Sequence, residues 1–193
     1  MNRSLAFLGG VAAALALVLS SAALADDLKA DPVHSFVVFD VHHVGAGYVY
    51  GTFGGPTGTV AYDSADLTKT SFDLSVDTAS IDTRNETRDK HLKGPDFFDV
   101  KQFPAMTFKS TGVTKTGDQT IAVTGDLTLH GVTKSITVPI EITGTGKGMR
   151  GETRTGFRAD FKIDRRDYGI VADADPVVGN EIHIIVAIEA VQQ

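Results

Sequence analysis

Histidine has the most versatile chemistry of the residue types in this chain, because it can bind metals or transfer protons near neutral pH. The six histidines are His34, the adjacent pair His42-His43, His91, His130 and His183. Adjacent residues on a β-strand point to opposite faces, so the paired imidazoles cannot easily share one ion. The other histidines show neither the HxxxH spacing of a helical zinc site nor another zinc pattern. We therefore expect no metal site, and an inward His43 would ordinarily be a hydrogen-bonded core histidine.

Other segments that resemble chemical motifs are each incomplete. Gly144–Gly148 has the glycines and lysine of a phosphate-binding loop, but Lys147 is followed by glycine instead of Ser or Thr. The segment reads better as a flexible hairpin loop. Asp173-Ala174-Asp175 lacks the glycine and the distal glutamate of an EF-hand calcium loop. The chain has no Cys and no GxSxG nucleophile elbow, so we expect a protein that is not an enzyme and needs no cofactor.

The charge composition of the chain argues against one class of partner, the nucleic acids. The 193 residues carry 18 Lys and Arg against 24 Asp and Glu, which gives a formal net charge of −6. Nucleic-acid binding needs cations that displace phosphate counterions, and this acidic balance argues against it. Hydrophobic residues make up 42% of the chain, which is enough for one domain with an apolar core.

The first 25 residues have the layout of a secretory signal peptide. Arg3 precedes an apolar run from Leu5 to Leu19, and Ala23-Leu24-Ala25 forms a small-x-small cleavage site. The run of about 15 residues is shorter than the roughly 20 that span a bilayer, so we expect no stable membrane anchor. The sequence therefore predicts a signal peptide over 1–25 and an exported mature domain over 26–193.

The mature chain is dominated by the period-two alternation of half-buried β-strands. Each apolar run has one clean face, and short turn-like segments such as Gly54-Gly55-Pro56 and His130-Gly131 separate the runs. No alternation of strands and helices is present, which argues against a doubly wound fold. Eight or nine antiparallel strands of this kind close into a barrel or stack as a sandwich.

Thr83–Asp99 interrupts the strands with a helical pattern. Thr83 and Glu86 have the spacing of a capping box, with Thr83 as N-cap, and Gly94-Pro95 would stop the helix. Phe97 and Phe98 follow as two aromatic anchors. The segment is either a surface helix pinned by these rings or a lid over the mouth of the barrel, and composition alone favours the surface helix.

Most phenylalanines of the mature chain occupy the apolar face of their strand. We expect six rings to point into a shared interior: Phe39, Phe53, Phe72, Phe108, Phe157 and Phe161. A small barrel either fills its interior with its own side chains or holds one small ligand. The pattern alone does not decide between a filled core and a carrier of an apolar ligand.

Several segments match one known family, in the same order, across nearly the whole mature chain. Asp31–Phe39 opens the first strand, the insertion contains Arg88–Leu92 and Asp96–Asp99, and Gly125–Lys134 forms a recognisable hairpin. Ile163–Gly169 and Ile182–Ala190 follow near the end. These segments resemble the YceI-like family of secreted bacterial lipid-binding proteins, which are also called polyisoprenoid-binding proteins.

The resemblance implies an all-β, antiparallel, eight-stranded lipocalin-like barrel with a short helical insertion at one rim. It also implies a periplasmic protein that carries or stores a long-chain isoprenoid or similar amphiphilic lipid, without established catalytic residues or a further cofactor. It also leads us to expect a homodimer, since dimers occur among relatives of this kind. Two alternatives stay open. One is a lipid- or quinone-modifying enzyme that uses His43 or His91, and the other is a stress or interaction module with a filled core.

The candidate ligand contacts are the residues on the inward registers of the strands together with two rings of the insertion. They are Val37, Phe39, Val41, His43, Phe53, Phe72, Leu74, Phe97, Phe98, Met106, Phe108, Leu127, Leu129, Phe157, Phe161, Ile163, Ile184 and Val186. Arg88, His91 and Arg165, with His43, are the candidates for orienting a polar head group near the mouth.

Overall fold

A computed structural model describes residues 26–192, which form one antiparallel sheet of ten strands with little else. The signal peptide predicted over 1–25 lies outside the described residues. The strands are β1 (Asp26–Ala30), β2 (Phe36–His43), β3 (Gly47–Phe53), β4 (Thr57–Tyr62), β5 (Ser71–Asp77), β6 (Ala105–Lys115), β7 (Thr120–Leu129), β8 (Val132–Lys147), β9 (Thr153–Asp164) and β10 (Val178–Gln192). The described residues also contain the helix α1 (Glu86–Leu92) and three short 3-10 turns (Leu67–Lys69, Thr78–Ser80 and Arg165–Tyr168).

The sheet closes on itself through its first strand. Eight strands form a ring in the order β1-β4-β5-β6-β7-β8-β9-β10, and β1 pairs with β10 to complete it. β10 is long enough to pair with two strands along the same edge. Its residues Ile182–Ala187 pair with β2, and its residues Ala190–Gln192 pair with β1. β3 pairs with β2 and extends the wall by one more strand. The prediction of a closed, eight-stranded antiparallel barrel is confirmed, with β2 and β3 as an extension.

Two details of the strands differ from the sequence prediction. β1 was not expected, because Asp26–Ala30 is short and offers only Leu28 and Ala30 as an alternating apolar pair. The hairpin loop predicted at Gly144–Gly148 is wrong, since β8 continues to Lys147 and the chain turns at Gly148–Glu152. The pairing register shifts between Ile142 and Gly144, where Gly144 has a φ of +142°. A bulge of this kind lets a strand continue through a glycine.

The end of the barrel where β1 closes the ring is packed with side chains. We call this group the base cluster, and its centre, in which each residue is at most 2% exposed, consists of Leu28, Val60, Phe72, Ile121, Val123, Phe157 and Ala190. Fully burying a large apolar side chain contributes about 1.5–3 kcal/mol. The other end is closed by a second group, the cap cluster of Phe97, Leu129, Tyr168 and Ile170.

The helix α1 begins later than the sequence suggested. Asn85 is its N-cap, and the Asn85 side-chain oxygen accepts a hydrogen bond from the Arg88 backbone N–H at 2.9 Å. The prediction of Thr83 as N-cap is wrong, because Arg84 has a φ of +62° and turns the chain between Thr83 and the helix. Thr83 is 3% exposed, and its hydroxyl donates to an Asp89 carboxylate oxygen at 2.5 Å.

The insertion that carries α1 covers the free edge of β3 at one point. Thr52 exchanges two backbone hydrogen bonds with Asp82, of 2.8 and 2.9 Å. The ring of Phe98 packs edge-on against Phe53, with ring centroids 5.3 Å apart. The insertion therefore joins the β2–β3 extension to the end of the barrel. Across residues 26–192, no helix has both the length and the apolar character needed to cross a membrane.

Candidate functional site

The barrel contains an apolar cavity of about 210 Å³ between the base cluster and the cap cluster. Of the described residues that line it, only Thr107 and Arg165 are polar. An engineered apolar cavity of about 150 Å³ in another protein stays dry and binds benzene. The interior of this barrel is therefore not fully packed, and its size and lining suit a hydrocarbon.

Sixteen of the eighteen predicted ligand contacts line this cavity. They are Val37, Phe39, Val41, Phe53, Phe72, Leu74, Phe97, Phe98, Met106, Phe108, Leu127, Leu129, Phe161, Ile163, Ile184 and Val186. They converge because consecutive strands of an antiparallel barrel keep the same face inward at paired positions. Ile184 of β10, for example, lies opposite Phe39 of β2 and Phe161 of β9.

Phe157 and His43 are the two predicted contacts that the structure places elsewhere. Phe157 is 2% exposed and packs edge-on against Tyr62 and Phe72, with centroid distances of 5.6 and 5.4 Å. It belongs to the base cluster beneath the cavity, so five of the six predicted rings share the cavity and Phe157 does not. His43 is exposed because it is the last residue of β2. It lies on the inward register of that strand, but beyond the end of the barrel wall.

The cavity also has lining residues that were not named from the sequence. Val76, Ile136, Val138, Ile140, Ala159, Ile182 and Ile188 line it from strands. The same period-two alternation could have identified them. Leu92, Ile170 and Val178 come from α1, from the segment after β9 and from the start of β10. No periodic pattern marks these three positions.

The two aromatic rings of the insertion form part of the cavity wall. Phe97 is 5% exposed and belongs to the cap cluster, while Phe98 is half-buried and contacts Phe53. The backbone folds back on itself here, because Phe98 N donates to Leu92 O at 3.0 Å and Asp99 N donates to Gly94 O at 2.9 Å. Both rings therefore close the cap end of the cavity as well as anchor the insertion.

Arg165 reaches the cavity with its side chain, but its guanidinium is already fully bonded. The residue is 4% exposed, and burial lowers the pKa of Arg165 from its ordinary value. A guanidinium has five N–H groups, and here each of them donates to a backbone carbonyl. The accepting carbonyls are Gly179 (3.0 Å), Ile170 (3.1 Å), Ala172 (2.5 Å), Asp173 (2.8 Å) and Val178 (3.1 Å). Arg165 therefore fastens residues 170–179, the rim loop, and has no N–H left for a head group.

The other head-group candidates lie outside the cavity lining. Arg88 donates from Nε to the Thr83 hydroxyl at 2.7 Å and from Nη2 to the Thr83 carbonyl at 2.6 Å. His91 is exposed, with Nε2 at 3.7 Å from an Asp96 carboxylate oxygen. The enzyme alternative required a histidine beside a carboxylate within the cavity, and neither His43 nor His91 occupies such a position.

Among residues 26–192, one group of side chains lies close enough to share a metal ion: Asp31, His34 and Glu189. Arg154 already occupies this group, since its Nη1 donates to Asp31 at 2.9 Å and also to Glu189. Hydrogen bonds from His34 and then from Arg154 lower the pKa of Asp31 to about 2. The arginine supplies the positive charge that these carboxylates need, so the arrangement is an ion-pair network that joins Asp31, just after β1, to β9 and β10.

Solved structures of other proteins share this fold. BcnA from Burkholderia cenocepacia is 24% identical in sequence and superposes with a TM-score of 0.76, over 83% of this chain and 98% of BcnA. A polyisoprenoid binding domain from Saccharophagus degradans, implicated in plant cell wall breakdown, is 16% identical with a TM-score of 0.67, over 89% of this chain and 100% of that domain. At these identities the likeness shows the fold alone.

Sequence comparison, unlike the shared fold, identifies the family of this chain. Protein YceI of Escherichia coli O157:H7 is 38% identical over 186 residues, which cover 95% of this chain and 96% of that protein. The model of the YceI-like domain matches residues 28–190, from β1 to β10. A match of this identity and coverage, together with the shared barrel, shows that the chain belongs to the YceI-like family.

Proposed function

We propose that this protein binds the apolar chain of a long-chain isoprenoid or similar amphiphilic lipid inside the barrel, and carries or stores that lipid in the periplasm. The observation that carries the proposal is the cavity, which lies inside the barrel and is lined almost wholly by apolar side chains. Membership of the YceI-like family and the polyisoprenoid binding domain of the same fold support it.

The lining favours a hydrocarbon over a polar ligand for a simple physical reason. Each 100 Å² of apolar surface removed from water stabilises a complex by about 2.5 kcal/mol. A buried polar group without a hydrogen-bond partner costs about 1–3 kcal/mol. Because Arg165 is fully bonded, the interior offers little to a polar end, and the head group would remain near solvent.

The same lining supports binding rather than catalysis. The described residues around the cavity include no carboxylate and no histidine, so none of them is a ready general acid or base. His43 and His91 are not among the residues that line the cavity. Retention of a lipid, without turnover, is therefore the activity that we propose.

The periplasmic part of the proposal rests on residues 1–25, whose charge, apolar run and cleavage site are typical of a secretory signal. A homodimer, by contrast, stays a prediction, and sedimentation velocity of the exported protein is the measurement that checks it.

A matched pair of substitutions on β10 tests the site. Ile184 lines the cavity, whereas its neighbour Ile185 points to the outer face, opposite Val38 and Asp160. Both are half-buried. Ile184→Trp fills part of the cavity and should weaken binding of a polyprenol delivered from cyclodextrin by about tenfold or more, a loss of about 1.4 kcal/mol. Ile185→Trp should bind like the wild type. Equal affinity of the two variants would show that the lipid binds elsewhere.

A further inference from the structure

Three exposed valines lie at the cap end of the barrel, each close in sequence to a residue that lines the cavity. Val44 follows β2, whose Val41 lines the cavity, and is 55% exposed. Val171 and Val177, in the rim loop, are 64% and 47% exposed and are adjacent to the lining residues Ile170 and Val178. The apolar surface of the interior therefore continues to the outside of the molecule at these three positions, which we call the rim valines.

Hydrogen bonds to backbone carbonyls hold the rim valines in one region. Val44 N donates to Val177 O at 3.1 Å, which joins the turn after β2 to the rim loop. Arg165 bonds the carbonyls of Ile170 and Ala172, on either side of Val171, and also the carbonyl of Val178. One guanidinium thus fixes both flanks of the loop that carries Val171 and Val177.

The residue at position 44 is unfavourable for the backbone. Val44 has a φ of +46°, in the left-handed region, where a β-branched residue is a genuine outlier and Asn, Asp or Gly is favoured. A polar residue there would both relieve the strain and remove an exposed apolar side chain. Strain kept in a structure points to a function for the residue that bears it.

The charges of this region indicate which surface it fits. The turn 43–47 and the rim loop together carry Asp173 and Asp175, and neither segment contains Lys or Arg. An acidic region of this kind is repelled by anionic lipids, whose surface attracts basic segments. The nearest cations are Arg165, which is bonded to rim-loop carbonyls, and Arg166, which is paired with Asp164 at 2.5 Å. An apolar patch whose neighbouring cations are already paired is compatible with the interface of a lipid bilayer that has no net charge.

We propose that the rim valines contact the surface of an uncharged, zwitterionic lipid bilayer, and that the cavity loads and unloads its ligand there. The contact is shallow and reversible, because it consists of three side chains and no helix. The loading step rests on the proposed function, whereas the surface contact is measurable without any ligand.

Val44→Asn and Val33→Asn form a matched pair for the test. Val33 is 74% exposed and lies near Glu189 on β10, eleven residues or roughly 35 Å along the strand from Val178. In flotation with phosphatidylcholine vesicles, Val44→Asn should lower the vesicle-bound fraction several-fold, and Val33→Asn should not. The thermal midpoint of Val44→Asn should stay the same or rise, since the strain is relieved. Adding phosphatidylglycerol to the vesicles should weaken binding of the wild type.

Several outcomes would overturn the proposal. Val44→Asn could bind the vesicles as well as the wild type, or both variants could lose binding equally. Stronger binding to vesicles that contain phosphatidylglycerol would also contradict it. A changed sedimentation coefficient of Val44→Asn with unchanged flotation would instead make the rim a contact between copies of the chain.

A second readout separates this proposal from the proposed function. A polyprenol delivered from cyclodextrin should bind Val44→Asn with the affinity of the wild type, while transfer from phosphatidylcholine vesicles should slow. Normal transfer from vesicles refutes the rim contact and leaves lipid binding intact. Failure of the wild type to bind from cyclodextrin refutes the proposed function, and flotation still decides the rim contact.

Discussion

Replacement of Arg165 by Met is the perturbation with the largest expected effect on this barrel. The side chain of Met keeps much of the apolar stem and removes all five N–H donors. Five backbone carbonyls in 170–179 then lose their partner together. The rim loop should loosen, and with it the part of the cavity wall formed by Ile170 and Val178.

The magnitude follows from the surroundings of the five bonds. The hydrogen bond to the Ile170 carbonyl is fully buried, and a buried acceptor left without a donor costs about 1–3 kcal/mol. The other four bonds are partly buried, so water replaces part of what is lost. A total loss of about 3–5 kcal/mol is expected, in the range measured when one member of a buried charged network is removed. For a domain of this size, that loss lowers the melting temperature by about 10 °C.

Arg165→Lys is the control, because it keeps the charge but offers at most three donors from one point. It should recover about half of the lost stability. Urea unfolding and release of a bound polyprenol should be measured on both variants, and release should be faster from Arg165→Met. The reasoning is refuted if Arg165→Met unfolds like the wild type and loses affinity only for anionic amphiphiles. Arg165 would then be a head-group contact rather than a fastener of the rim loop.

Three further predictions concern the insertion, the outer face and the N-terminus. Replacing Phe97 and Phe98 by Ala should speed release of a bound lipid from the folded protein, because both rings line the cavity; a large loss of stability with an unchanged off-rate would leave them as anchors only. His183 donates to Asp160 at 2.7 Å and to Asp40 at 2.8 Å, and these hydrogen bonds raise the pKa of His183 above its ordinary value. Both nitrogens donate only in the protonated ring, so the stabilisation is complete below about pH 6.5 and is lost as pH rises through the raised pKa. His183→Gln should remove this pH dependence of the unfolding free energy, and an unchanged slope would contradict it. N-terminal sequencing of the exported protein should begin at position 26, whereas an intact first methionine on a membrane-bound form would contradict the signal peptide.

The barrel wall was predictable because buried and exposed side chains alternate along a strand with a period of two residues. Val37, Phe39 and Val41 alternate with Val38 and Asp40, and the structure turns the first three inward. Strands β2, β3 and β5 to β10 all contribute residues to the same cavity, since closure of the ring leaves one inside, whereas Val60 of β4 packs in the base cluster. The alternation does not give the depth of each residue along the barrel. Phe157 and His43 share the inward register but lie below and beyond the cavity.

The ends of the cavity were less predictable for a related reason. Leu92, Ile170 and Val178 reach the interior from a helix, a loop and a strand end, where tertiary contacts decide the direction of a side chain. The role of Arg165 could not be assigned from sequence, because its hydrogen-bond partners are backbone carbonyls. Every residue type has a backbone carbonyl, so the sequence does not identify such partners. The N-cap was misassigned because the positive φ of Arg84 shifts the helix start by two residues.

Mass spectrometry of an organic extract of the purified, natively exported protein tests the central claim most directly. The account predicts a long-chain isoprenoid or similar lipid that co-purifies with the wild type and with Ile185→Trp, and is depleted from Ile184→Trp. A wild-type extract without such a lipid, from protein that also fails to bind a polyprenol offered from cyclodextrin, would contradict the account.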